Sequence, residues 1–90
     1  MKDTNSVRAL GKTLEELGEC TSAVSRCLIQ GIDEREPITG KPNYVWLSQE
    51  IADVYAQFEI LIDHFNLDPA EIHQRRRAKV AQMMEWRAML

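Results

Sequence analysis

The sequence predicts an all-α chain of three helices whose bundle is completed by a partner subunit. Two long segments carry apolar residues in alternating steps of four and three, the helix breakers gather mainly between them, and a third segment opens on a strong helix-start signature. Ninety residues make one domain with a high surface-to-volume ratio, which needs a staple or a second subunit for support. The two cysteines, Cys20 and Cys27, lie seven residues apart on one face of the same helix, where bridging to each other is disfavoured. Oligomerisation is the support that remains.

The first helix is expected from about Ser6 to Gln30, with Thr4, Asn5 and Ser6 as candidate caps and Gly31 as a stop. Leu10, Leu14, Leu17, Thr21, Val24 and Leu28 form its seam. Residues 31–43, with Pro37, Gly40 and Pro42, read as an exposed connection and a candidate mobile flap. The second helix is expected over about 44–66, with Leu47, Ile51, Val54, Phe58, Leu61 and Phe65 as the core seam. Burying such side chains contributes roughly 1.5–3 kcal/mol each before entropy is counted. The third helix, 69–88, is announced by Asp68-Pro69-Ala70-Glu71: a side-chain acceptor for the first amides, then a proline suited to the first turn. Ile72, Val80, Met83, Met84, Trp86, Met89 and Leu90 are its apolar positions, and it is expected to close the bundle.

The net charge of −3 argues against a nucleic-acid surface and hence a stable nucleic-acid partner. The one basic concentration is Arg75-Arg76-Arg77-Ala78-Lys79, with Arg87 beyond it. No apolar run is long enough for a signal peptide or a membrane span, and the thiols are unpaired, so a cytoplasmic setting is expected.

The chemistry is concentrated in two matched acid pairs, Glu16-Leu17-Gly18-Glu19 and Glu50-Ile51-Ala52-Asp53, one on each long helix. A three-residue step leaves the members of each pair about 60° apart and one turn along the same face, so both can reach one ion. Like charges at this spacing weaken an isolated helix by about 0.2–0.5 kcal/mol, a cost that a bound cation offsets. Magnesium takes a near-octahedral shell of hard oxygens shared among carboxylates, waters and substrate phosphates, and two acid pairs from facing helices supply such a shell. With the leucine seam as the inward direction of helix 1, Glu16 lies about 115° away and Glu19 nearly opposite, on the side of Lys12, Ala23 and Arg26. That rotation calls for a second packing surface. The small residues Ala9, Cys20, Ala23 and Cys27 are expected to receive a helix from a partner subunit.

Leu14-Glu15-Glu16-Leu17-Gly18-Glu19, followed by Ser48-Gln49-Glu50-Ile51-Ala52-Asp53-Val54, resembles the MazG-like family of all-α nucleoside triphosphate pyrophosphohydrolases, whose motif is Glu-x-x-Glu, a spacer, then Glu-x-x-Asp. The resemblance runs from about Leu10 to Arg87 and is closest to short phage-type members, with Lys79 matching a lysine of their final helix. It implies a four-helix-bundle-type fold completed by dimerisation, and hydrolysis of an NTP or dNTP to the monophosphate and pyrophosphate. It further implies Mg²⁺, or Mn²⁺ in its place, held by Glu16, Glu19, Glu50 and Asp53, with a water oriented by metal or carboxylate attacking the α-phosphorus. The partners implied are a nucleotide and a second copy, as a homodimer or a dimer of dimers.

Trp46 lies one turn before Glu50, where it either stacks on a nucleobase or packs at the helix entry. Lys79 is the candidate phosphate contact from the basic run, since one helix cannot aim three consecutive arginines at one point. Glu15 points about 100° from Glu16 and is expected at the surface. His64 and His73 have no cysteine partners at zinc-ligand spacing. Asn43 suits a cap or a ligand contact equally. One rival reading is an inactive helical interaction module of the same fold, since the longer N-terminal segment of many relatives is absent. Others are a dUTPase-type hydrolase and a phosphoribosyl-ATP pyrophosphohydrolase. The last usually continues its second acid motif with an aromatic-histidine pattern, where this chain has Val54-Tyr55-Ala56-Gln57.

Overall fold

Asp3 starts the first helix: one carboxylate oxygen accepts from the Ser6 amide at 2.7 Å and the other from the Ser6 hydroxyl at 2.8 Å. The computed structural model describes residues 3–89, and the cap lies just upstream of the expected Thr4–Ser6 because Ser6 occupies the position that Asp3 can reach. Helix α1 spans Thr4–Gln30, α2 Asn43–His64 and α3 Pro69–Ala88. Gly31, at φ 108°, ends α1 as expected. Helix α2 stops short of residue 66, where Asn66 turns into the left-handed region at φ 50°. Asp68 caps α3, accepting from the Ala70 amide at 3.0 Å and the Glu71 amide at 3.4 Å. The expected apolar position at Leu90 lies outside the described residues.

The connection between α1 and α2 is exposed but not loose. Its backbone pairs Arg35 with Pro42 in an isolated bridge, and the Glu36 carboxylate accepts from the amides of Ile38 and Thr39. Those donors hold the Glu36 carboxyl below its ordinary range. Asn43 closes the loop as a structural residue: its side-chain amide donates to Gly31 O at 2.9 Å, and it is almost fully buried.

Helices α1 and α2 form an antiparallel hairpin, but not along the leucine seam. The half-buried and buried positions of α1 are Ser6, Ala9, Thr13, Glu16, Cys20, Ala23 and Cys27. They again step by three and four, one position before each seam residue. The small-residue flank, expected to receive a partner's helix, thus receives α2 of the same chain. The physical reason is close approach: alanine, cysteine and threonine let the backbones near each other, and polar groups lock the register. Gln57 Nε2 donates to Ala9 O at 3.2 Å and to Thr13 Oγ1 at 3.1 Å, and Cys27 Sγ faces Asn43 O at 3.8 Å.

On α2 the packed line is Asn43, Leu47, Glu50, Val54, Gln57 and Leu61. Half the expected seam is there; Ile51, Phe58 and Phe65 stand at the rim. Helix α3 does not close a bundle. All its described residues are exposed, because its apolar positions are interrupted by the arginine run and never form a continuous stripe. The body measures 44 × 36 × 16 Å, and its thin dimension has room for little more than one layer of helices, each about 10–12 Å across with side chains. Val54 is the one buried apolar residue among the described residues.

One turn of geometry gives the hairpin two unlike sides. A step of one residue rotates by about 100°, in opposite senses for antiparallel helices, so positions that follow the packed lines meet on one side and those that precede them meet on the other. The first side carries Leu10, Leu14, Leu17, Val24 and Leu28 beside Ile51 and Phe58. The second carries Lys12, Glu19 and Arg26 beside Trp46 and Asp53.

Candidate metal centre

The small-residue approach of the two helices brings the acid motifs together within one chain. Carboxylate oxygens of Glu16, Glu50 and Asp53 all lie within 4.8 Å of one another. Glu16 and Glu50 belong to the packed lines and are half-buried, whereas Asp53 is exposed at the edge. Glu19 stands one turn along α1 and lines, with Glu50, a cleft of about 230 Å³ that also includes Ser22, Ala23, Arg26 and Trp46. Its carboxyl is raised above the ordinary range by the charge of Glu16 foremost, then by desolvation and the charge of Glu50. All four sequence-predicted acids therefore share one neighbourhood.

Glu16 is held in an unequal way. Its Oε1 faces Lys12 Nζ at 3.2 Å, with only 13% of the side chain exposed, while its Oε2 is buried without a hydrogen-bond partner. Glu50 Oε2 is buried and unpartnered as well. Buried carboxylate oxygens are costly unless paired, hydrogen-bonded or ligating a cation. The donor set is all hard oxygen, as magnesium requires, and a spread of 4.8 Å is slightly wider than the roughly 4.2 Å between opposite ligands of a magnesium octahedron. A small side-chain adjustment or an intervening water brings the two into agreement, so the residues fit the ion that the motif implies.

Lys12 is a site residue that the acid motif does not mark, and Glu15 shares it: Glu15 Oε1 lies 3.3 Å from the same ammonium group, at the surface as expected. The pairing with Glu16, then with Glu15, holds the Lys12 ammonium above its ordinary pKa. The signal was present in sequence, since Lys12 precedes Glu16 by four and Glu19 by seven.

Trp46 lines the cleft, as its position before Glu50 suggested, and its indole Nε1 is buried without a partner. Lys41 Nζ sits 3.7 Å from its ring centroid and the Arg26 guanidinium 5.8 Å away. Lys79 lies on α3 in a separate groove with Glu71, Arg75 and Arg76; within one chain it does not line the acid cleft. Cys20 and Cys27 are free thiols packed against α2, and His64 Nε2 lies 3.0 Å from the Ser6 hydroxyl at the surface. Among the described residues no helix is long and apolar enough to cross a membrane.

The chain matches no protein-family model, no curated protein and no solved structure.

Proposed function

We propose that this chain is a Mg²⁺-dependent nucleoside triphosphate pyrophosphohydrolase, converting an NTP or dNTP to the monophosphate and pyrophosphate as a homodimer. The observation that carries the reading is the approach of Glu16, Glu50 and Asp53 to within 4.8 Å of one another beside a cleft lined by Glu19 and Glu50, with an orphaned buried oxygen on Glu16 and another on Glu50. Magnesium, when bound, supplies positive charge against the phosphate oxygens where negative charge builds up during attack at phosphorus. Glu16, Glu50 and Asp53 would hold it, with Glu19 completing the acidic wall. Lys12 orients Glu16 by engaging one oxygen and leaving the other free, the part that an outer hydrogen-bonding partner plays around a metal ligand. The open edge at Asp53 and Glu19 admits substrate and water.

The exposed apolar side of the hairpin supports contact with a second copy. Leu10, Leu14 and Leu28 are 47%, 72% and 84% exposed, and a seam running the length of α1 with heptad-like spacing suits a copy of itself. A single layer with one buried apolar residue among those described lacks the core that a chain of this size needs. The acid cleft then faces away from this contact.

Pyrophosphate release across a nucleotide panel with Mg²⁺ tests the proposal, with Glu50→Gln and Asp53→Asn as controls. Metal-dependent release abolished by both substitutions is expected. No release from any nucleotide would instead favour the helical interaction module, a reading that the exposed apolar side also supports.

A further inference from the structure

The cleft holds a second feature besides its acids. Arg26 reaches it from the C-terminal part of α1, and Lys41 reaches Trp46 from the loop that precedes α2. Among the described residues neither cation has a carboxylate within 4.0 Å, although acids outnumber bases in the chain. Both are instead held against the same indole, by the attraction of a cation to an aromatic face. The indole N–H of Trp46 is itself buried without a partner. A base stacked on the indole face that Lys41 covers would have to displace it.

We propose that Arg26 and Lys41, seated on Trp46, form the clamp for the distal phosphates of a magnesium-chelated polyphosphate. The inference rests on the hydrolase reading and assigns the part of the substrate that leaves as pyrophosphate. Carboxylates alone repel a phosphate chain. A cleft lined by acids and Arg26, with Lys41 on the same tryptophan and neither cation in a salt bridge among the described residues, suits a ligand that brings divalent metal and excess negative charge together. Guanidinium binds phosphate oxygens through a planar fork of donors and ammonium as a point charge. Trp46 serves as the platform that keeps the long side chains extended toward the cleft, which lowers the entropy lost when they grip. The clamp uses residues of one chain and does not require Lys79.

The full-length chain contains two tryptophans, Trp46 and Trp86, so in a Trp86→Phe background the fluorescence comes from Trp46 alone. Titration of this variant with inorganic tripolyphosphate in Mg²⁺ is expected to perturb that emission. Arg26→Met and Lys41→Met are each expected to weaken binding by about tenfold, the scale of a hydrogen bond to a charged group, with Arg26→Lys keeping part of the affinity. Lys79→Met is expected to leave it unchanged, and circular dichroism checks that each variant stays helical. Binding lost in Glu50→Gln but untouched by Arg26→Met and Lys41→Met would overturn the clamp and leave the hydrolase reading standing. No tripolyphosphate binding together with no pyrophosphate release from any nucleotide would overturn both.

Discussion

The side-chain amide of Gln57 donates to Thr13 Oγ1 at 3.1 Å across the hairpin, and both residues are buried. This contact, with the Ala9 carbonyl as a second acceptor, fixes which side of α1 lies inside. A register shift in either helix would strand the donors, and unmet buried polar groups cost about 1–3 kcal/mol.

Replacing Gln57 by Met keeps the length of the side chain and removes its polar end. Thr13 Oγ1 retains its own bond to Ala9 O at 2.8 Å, so the loss falls mainly on the interhelical contact. The expected cost is about 1–2 kcal/mol by denaturant titration. Adding Thr13→Val should be less than additive, because the two residues form one network. Additive losses in the double-mutant cycle would show that the contact does not set the register.

The helices, their breaks and the Asp68 cap were legible in sequence because each depends on local chemistry: periodicity, glycine and proline, and a side-chain acceptor before the first turn. The four acids were legible as a motif. Which side of α1 faces α2 was not. Apolar periodicity locates the side that must eventually leave water, and in this chain that side is distinct from the one the hairpin uses. Ala9, Thr13, Cys20, Ala23 and Cys27 carry little hydropathy, so their line is faint beside the leucines, yet their size decides the closest approach. Glu16 sits in that same line, and the site's assembly within one chain follows from it. Arg26 and Lys41 were hidden for a related reason: their role depends on meeting Trp46, which no local pattern encodes.

Metal should act on stability with opposite sign from the acids that hold it. Without divalent cation, Glu16, Glu19, Glu50 and Asp53 repel one another, so Glu50→Gln should melt higher than the wild type in chelator. Added Mg²⁺ should raise the melting temperature of the wild type, because a ligand bound only by the folded state stabilises it by RT ln(1 + [L]/Kd). The same addition should leave Glu50→Gln nearly unmoved. Equal responses of the two proteins to Mg²⁺ in thermal melts would remove Glu50 from the ligand set.

The raised carboxyl of Glu19 predicts a pH dependence whose sign is fixed. Glu16 chiefly, with desolvation and Glu50 behind it, makes the folded state hold the Glu19 proton more tightly than the unfolded chain does. Its contribution to stability is therefore fully present below the ordinary glutamate value of about 4.3 and is lost as pH rises through the folded value. In chelator, Glu19→Gln should match the wild type at the acidic end and exceed it at neutral pH. A difference that grows on acidification would contradict the origin given for the shift.

The apolar side of the hairpin yields the prediction with the largest expected effect. Leu14 is 72% exposed in the single chain and is the second of the six seam positions, so in the proposed dimer it is buried in the α1 contact. Arginine at this position adds no strain to one chain, since the side chain already points to water and arginine is a good helix former. In a dimer the same change buries an unpaired charge on each side of the axis, at a cost of several kcal/mol. Sedimentation should find the wild type dimeric or larger and Leu14→Arg monomeric. The variant's melting temperature should fall well below that of Gln57→Met, because it loses the apolar contact that offsets the thin core rather than one hydrogen-bonded pair. A control on the opposite side, Arg8→Glu, changes charge without touching the seam and should leave the assembly intact. If Leu14→Arg sediments and melts like the wild type, the leucine seam is not the contact between copies.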